Sequence, residues 1–343
     1  MKRYKHASAI KVAVVGYGGA FNMGRQHLQE CARNGMTPAA VIELDPARLE
    51  IATTDFPGIQ TFSDTTAMLK HSDADLVIII TPHDSHAPLA LQCLKAGRHV
   101  VCEKPMALTT AECDAMIRAA EKHDVMLSTY HNRHWDGCIL EALDHLKRGA
   151  VGEIVRIEAR MGGYRKPREW WRSLKSVSGG IMYDWGVHLL EYCLQIVKSD
   201  IVEISGFAHT GYWAKRVPWK KDANEDEATA IVRFANGVML TLRMSAIEMN
   251  GKSGIVEVTG TEGAYVFDGK HYELIQPGDE GAKRTEGDNR EGEQWRYYRN
   301  IADHLVKGTR LVISAEWARR PIHIIDLAAR SAARGQSIKA KYA

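Results

Sequence analysis

The sequence has no long apolar run, little net charge and no paired cysteine motif, and each absence removes a class of function. Its longest apolar stretch, "LVIII" at 76–80, is far too short to cross a bilayer as a helix. The basic opening "MKRYKHASAIK" is followed by no apolar segment of signal length, so the expectation is a cytoplasmic protein. A formal charge of +3 without a long basic face argues against nucleic acid or a membrane surface as main partner. The cysteines number only six (31, 93, 102, 113, 138 and 193), none spaced C-x-x-C and most inside apolar segments. They read as buried free thiols in a reducing compartment. No internal repeat is evident.

What is present is ordinary for a globular enzyme: 45% apolar and 25% charged residues. With 343 residues, the chain exceeds what one core usually organises, so two domains are expected, at 1–128 and 129–343. In the first, "KVAVVG", "PAAVIELD", "DLVIIITP" and "RHVVCEKP" are short β-branched runs of the kind found in buried parallel strands. Stretches with helical spacing, such as "FNMGRQHLQECARNG" and "TTAECDAMIRAAEKH", separate them. That alternation predicts a doubly wound parallel α/β sheet, a Rossmann arrangement. After about residue 128 strand-like segments dominate, with hairpin turns at Asn236-Gly237 and Asp268-Gly269. An α+β domain with a large, mostly antiparallel open sheet is expected there, and the polar run 277–294 reads as an exposed loop.

"VVGYGGAFNMGRQH" follows the first strand and opens a helix, the context a dinucleotide-binding turn requires. Gly16 would permit the tight turn and Gly18 the close approach of a pyrophosphate, with Phe21, Asn22 and Met23 at the entry to the helix. Phe21 stands where a strict G-x-G-x-x-G has its third glycine, and Gly24 comes three residues late, as though the turn carried an insertion. The second strand ends at Glu43, near the offset expected for a carboxylate that binds a ribose diol. A carboxylate there, followed by Leu44 rather than arginine, favours NAD over NADP.

Ligands of an open parallel sheet lie outside the carboxyl ends of its strands. "IIITPHDSH" and "VVCEKP" both end strands, so Thr81, Pro82, His86, Glu103 and Lys104 should border the nicotinamide half of the cleft. Pro105 keeps Lys104 extended rather than helical. In the second half, "SGGIMYDWGVHLLEY" places Asp184 and His188 four apart on one face of an apolar helix. Asp184 could accept a hydrogen bond from His188 or hold a substrate hydroxyl, while His188 exchanges the proton. Tyr164, Arg165, Trp171 and Arg172 of "MGGYRKPREWWRS", with Asn132 and Arg133 of "YHNRHWD", are candidate sugar contacts. His131, His134 and Asp136 make a poor zinc signature, and no metal is expected.

Together these motifs carry a family resemblance over nearly the whole length. The chain resembles the Gfo/Idh/MocA family, the glucose–fructose oxidoreductase and inositol dehydrogenase group, through "GRQH", "TPHDSH", "EKP", "YHNRHWD", "WWR…SGG…YDWGVHLLE", "FANGVMLTL", "VTGTEGAY" and "DLAARSAARGQSI". "EKP" followed some eighty residues later by D-x-G-x-H is the most specific part. The resemblance implies that Lys104, Asp184 and His188 form a catalytic triad, that the cofactor is a nicotinamide dinucleotide, and that copies associate into homodimers or homotetramers through the C-terminal sheet. The expected activity is oxidation of a secondary hydroxyl of a sugar, polyol or sugar derivative, or reduction of the corresponding ketone. A redox-neutral glycosidase, lyase or epimerase with tightly bound NAD would begin from the same triad, and a non-catalytic NAD- or sugar-binding sensor would share the scaffold.

Overall fold

The structure, a computed structural model, describes residues 1–342. Among these residues the chain divides into two compact units, 1–131 with 295–319, and 132–294 with the chain from 320 onward.

The first unit alternates β1 (Lys11–Val15), α1 (Met23–Arg33), β2 (Thr37–Ile42), α2 (Pro46–Asp55), β3 (Gln60–Phe62), α3 (Thr65–His71), β4 (Leu76–Ile79), α4 (His86–Lys95), β5 (His99–Cys102), α5 (Thr110–Lys122) and β6 (Leu127–Thr129). All its strand pairs are parallel, in the order 3-2-1-4-5-6. The order reverses between β1 and β4, so the turns after those strands open on the position where such sheets bind ligands. The four residues of β4 are fully buried, each apolar side chain contributing about 1.5–3 kcal/mol. Local chemistry sets the helix starts. Asp45 caps α2 ahead of Pro46, Asp64 caps α3, and Thr109 forms a reciprocal capping box with Glu112 at α5.

The expected boundary at 128 places 295–319 with the second domain, but this segment packs with the first. It holds α9 (Arg296–Lys307) and the opening turn of α10 (Ala315–Arg334). Tyr297 and Tyr298 of α9 are both buried. The Tyr297 hydroxyl lies 2.9 Å from Ser128 Oγ, which donates to the Ile313 carbonyl. Tyr298 bonds His27, and both tyrosine rings contact Tyr130. The aromatic anchors of α9 therefore complete the core beside β6.

The second unit contains α6 (Gly137–Lys147), β7 (Ile154–Gly162), α7 (Lys175–Ser178), α8 (Trp185–Ile196), β8 (Ile201–His209), β9 (Glu227–Phe234), β10 (Met239–Ser245), β11 (Val256–Gly260), β12 (Ala264–Phe267), β13 (His271–Gly278), β14 (Gly281–Asp288) and β15 (Ile338–Lys339). These strands form one sheet in the order 14-13-12-11-7-10-9-8-15, antiparallel except for the β7–β10 pair. In α8 every residue from Gly186 to Ile196 is buried. Gly186 lies against Leu242 and Met244 of β10. β8 is tied to α10 by the Gly206 N–H, which donates to Ser331 Oγ at 2.9 Å.

The polar run expected to be a loop is largely a hairpin, β13 paired with β14 from His271↔Asp288 to Gly278↔Gly281. Nearly all of β14 is exposed. An edge strand that is wet on both faces needs no apolar alternation, and its charged side chains discourage edge-to-edge pairing. No helix among the described residues is long and apolar enough to cross a membrane.

Candidate active site

In the first unit β1 delivers the chain to Gly16, whose N–H donates to the Ile42 carbonyl at 2.8 Å. Its φ is +103°, and a side chain there would run into the Ile80 carbonyl oxygen at the end of β4. On Gly24, the second residue of α1, a Cβ would lie 2.6 Å from the Gly16 carbonyl oxygen and 2.8 Å from the Tyr17 ring. Gly24 thus supplies the close helix-to-turn packing of a third fingerprint glycine, and Phe21, Asn22 and Met23 form the extra bend before it. Phe21 is 54% exposed, Asn22 precedes the helix in a left-handed conformation and Met23 begins it. At Gly18 a Cβ would meet nothing within 4 Å. That open backbone beside the α1 N-terminus fits a pyrophosphate.

Glu43 closes the cradle from the side. One of its oxygens accepts the Tyr17 N–H at 2.6 Å and the other the Leu44 N–H at 2.7 Å. Arg48, in the first turn of α2, donates to the Tyr17 carbonyl at 3.0 Å and to the Asn22 side chain at 3.2 Å. Its guanidinium lies where any side chain on Gly19 would stand.

At the ends of β4 and β5, His86 acts as a tie. Its Nδ1 lies 2.7 Å from the Pro105 carbonyl oxygen and its Nε2 2.8 Å from that of Thr81. Burial pushes its pKa down. Buried with a backbone carbonyl against each ring nitrogen, His86 donates its one N–H to one of them and so positions the turns. The Ser85 hydroxyl bonds Thr81 Oγ1 and the Pro82 carbonyl, both at 2.6 Å. Glu103 is likewise a support: its carboxylate accepts from His27 Nε2 at 3.1 Å and from the Lys104 N–H at 2.9 Å. Burial works to raise its pKa, but His27 and Lys104 outweigh it and hold the carboxyl below its ordinary value. Lys104, half-buried, follows directly, joined to Pro105 by a cis peptide bond.

In the second unit Gly179 and Gly180, both at positive φ, turn the chain into the entry to α8. Glu225 pins the turn by accepting the Ile181 N–H at 3.0 Å. Asp184 stands at the N-cap of α8 and His188 one turn further on, buried. The Arg172 guanidinium reaches both Asp184 oxygens, at 3.1 and 3.2 Å, and lies over the rings of Trp170 and Trp171. The Trp185 ring has the His188 imidazole at its edge, with centroids 5.5 Å apart, and the Arg133 guanidinium over its face at 4.7 Å. Asn132 and Arg133 belong to a 3-10 turn (Asn132–Trp135) fixed by Arg133 on Asp136 at 2.8 Å and by His134 on the buried Glu191. Asp136 also accepts from Tyr192 at 2.6 Å. His134 and Asp136 are thus engaged by side chains, and among the described residues no group of three His, Cys, Asp or Glu could hold a metal. The aromatic arginine stretch separates: Trp171 and Arg172 adjoin Asp184, whereas Tyr164 is exposed and bonds Tyr212. Arg165 is exposed, its N–H donating to the Ala246 carbonyl at 3.2 Å.

The model of an oxidoreductase family with an NAD-binding Rossmann fold, Gfo/Idh/MocA, matches residues 10–131. The C-terminal domain model of the same family matches 139–266. The chain belongs to the Gfo/Idh/MocA family. Among its relatives is the NADP(+)-dependent scyllo-inositol 2-dehydrogenase of Bacillus subtilis (strain 168), 25% identical over 98% of each chain. Another is the myo-inositol 2-dehydrogenase of Thermotoga maritima, 28% identical over 61% of each. A solved levoglucosan dehydrogenase, in complex with NADH and levoglucosan, superposes with a TM-score of 0.82 over 97% of this chain and 99% of that one. At 19% identity it shows the fold. The chain is accordingly a Gfo/Idh/MocA oxidoreductase with a parallel Rossmann sheet and a mostly antiparallel second sheet.

The sequence reading missed several supports of this site. Arg48 lies five residues after Glu43, in "DPAR", and an arginine one turn into the helix after the ribose-side strand was the available signal. His27 lies on the α1 face that meets Tyr298, and no local pattern in α1 names a partner from α9. The Arg172–Asp184 pair joins residues twelve apart across an irregular segment.

Proposed function

We propose that this Gfo/Idh/MocA member is an NAD-dependent dehydrogenase that oxidises a secondary hydroxyl of a sugar, polyol or sugar derivative, or reduces the ketone. The observation that carries the reading is the acid–base arrangement on α8: a buried imidazole one turn beyond a carboxylate gripped by an arginine that lies over two tryptophans. An imidazole exchanges protons near neutral pH, so His188 would take the substrate hydroxyl proton at a ring nitrogen. The ammonium of Lys104 would hydrogen-bond the same oxygen and stabilise its developing negative charge. Asp184, held by Arg172, would accept a hydrogen bond from a neighbouring hydroxyl. Trp171 and Arg133 would present the aromatic and cationic surfaces that sugars stack and bond against. NAD, when bound, supplies the nicotinamide ring that accepts the hydride.

The preference for NAD over NADP is supported by Glu43, whose negative charge would repel a 2′-phosphate. The inositol dehydrogenase relatives support a polyol or sugar as substrate. Six free, buried cysteines suit a reducing cytoplasm. The broad antiparallel sheet supports a homodimer or homotetramer, which light scattering at micromolar protein would read as a multiple of 38.3 kDa.

The deciding experiment follows absorbance at 340 nm with NAD and a panel of polyols, pyranoses, sugar acids and glycosides, beside product chromatography. NADH rising in step with product establishes the dehydrogenase. Product without net NADH refutes it in favour of redox-neutral catalysis. Lys104→Met and His188→Ala should each abolish turnover while NADH binding persists; turnover retained in both variants would refute the assigned roles.

A further inference from the structure

Two segments of the second unit, 164–175 and 211–222, concentrate positive charge. The first carries five lysines and arginines against Glu169, the second four against Asp222, a surplus of seven where the whole chain has three. They are laced to one another. Asp222 accepts the Ser176 N–H at 2.7 Å, Asn224 donates to the Arg172 carbonyl at 2.8 Å, and Leu174 bridges Ala223. The hydroxyls of Tyr164 and Tyr212 are bonded as well.

Beyond Glu169 on the first segment itself, three neighbouring carboxylates are already occupied. Glu225 pairs with Lys175 at 2.7 Å, Asp184 holds Arg172, and the fully buried Asp226 accepts the N–H groups of Tyr212 and Trp213. Arg165, Lys166 and Arg168 on the first segment, and Lys215, Lys220 and Lys221 on the second, are exposed with no carboxylate partner among the described residues. Arg216 lies over the Tyr212 ring at 3.9 Å. Arg172 links this field to Asp184 at the start of α8. Unneutralised cations interleaved with tryptophan and tyrosine faces, joined directly to an acid–base helix, form a surface for a ring that carries its own negative charge. A neutral polyol has no use for them.

We propose that the substrate of this enzyme is an anionic sugar or cyclitol, bearing a carboxylate or a phosphate that docks on the cationic face formed by 164–175 and 211–222. The inference rests on the dehydrogenase reading and sharpens its substrate class.

The test uses NADH- or NAD-loaded protein with glucose, galactose and inositol scaffolds, each offered neutral, carboxylated and phosphorylated. Turnover and calorimetric binding are measured separately, at low salt and with added sodium chloride. The expected result is a kcat/KM at least tenfold higher for one anionic form than for its neutral parent, falling with salt. Whether the carboxylated or the phosphorylated series responds identifies the charged group. In Lys166→Gln/Arg168→Gln the KM for that substrate should rise about fivefold or more with kcat retained, as loss of two exposed charge contacts implies. Equal, salt-insensitive use of neutral and anionic forms would overturn the inference and leave the dehydrogenase standing. Salt-sensitive binding of an anionic sugar without any turnover would sustain the cationic docking face but overturn the dehydrogenase, and with it the assignment of that sugar as substrate. Binding of none of the anionic forms, or heparin binding tighter than any of them, would overturn it.

Discussion

The late glycine of the cofactor turn gives the sharpest test of the cradle. In Gly24→Ala the new methyl would stand 2.6 Å from the Gly16 carbonyl oxygen and 2.8 Å from the Tyr17 ring, with the Tyr17 Cα at 3.2 Å. Two of these three contacts involve main chain, so rotating a side chain cannot relieve them; the start of α1 must move away from the turn. Overpacking of this kind costs about 1–3 kcal/mol. Expressed as stability, that lowers the melting temperature by about 2–4 °C per kcal/mol for a unit of this size. Expressed as cofactor affinity, it weakens NADH by about five- to 150-fold, because the same movement withdraws the helix N-terminus from the pyrophosphate. Gly18→Ala separates the two effects. Its methyl meets nothing within 4 Å, so the melting temperature should hold within a degree while NADH affinity falls. NADH fluorescence titrations and melting curves with and without cofactor read both variants. A Gly24→Ala protein that melts and binds NADH like the wild type would show that the helix does not need its close approach to the turn.

Acid should loosen the first unit through His99, whose pKa burial lowers to about 4. Its Nδ1 accepts the Met126 N–H at 3.0 Å, which requires the neutral ring. The unfolded chain binds the extra proton below about pH 6.5, so full stability holds above that value. About 3 kcal/mol is lost as pH falls toward 4. Urea unfolding between pH 7.5 and 4.5 should therefore show a shallower slope in His99→Asn, which retains an acceptor but does not titrate; an unchanged slope would assign the loss to other groups. Arg172→Ala frees Asp184 from its guanidinium, and because both side chains are partly exposed the expected loss in kcat/KM is modest, about tenfold. Arg172→Lys should recover only part of it. Identical kinetics in all three proteins would remove Arg172 from the site.

What could be read in advance was what depends on short-range pattern. The strands around Val14, Ile78 and Val101 are buried on both faces, so each appears as a continuous β-branched run. Asp184 and His188 share a helix face at a spacing that sequence states directly. The readings that failed depend on what the chain meets elsewhere. Residues 281–288 form a strand because β13 lies beside them, and their exposed side chains record nothing of it. Trp295–Arg319 joins the first unit through Tyr297 and Tyr298, whose partners Ser128 and His27 are far away in sequence. The turn after β1 carries its third glycine late because of the bend at 21–23, and spacing alone could not tell a displaced fingerprint from a broken one. His86 and Glu103 sit at strand ends as expected, yet His86 lies against backbone carbonyls and Glu103 is held by His27 and the Lys104 N–H.

The burial of α8 also bears on how such a protein can diversify. A helix with no exposed residue from Gly186 to Ile196 has little freedom to drift, since any replacement must repack against the sheet. The irregular segments beside it are less restrained: Ser173, Trp213 and Val217 are buried, but most of the segments' charged side chains are exposed. Duplicated copies could therefore acquire new tastes by rewriting the exposed positions of 164–175 and 211–222, inheriting Arg172, Asp184 and His188 unaltered. In a lineage of such paralogues, sequence variation should pool in these two segments while Asp184 and His188 stay fixed.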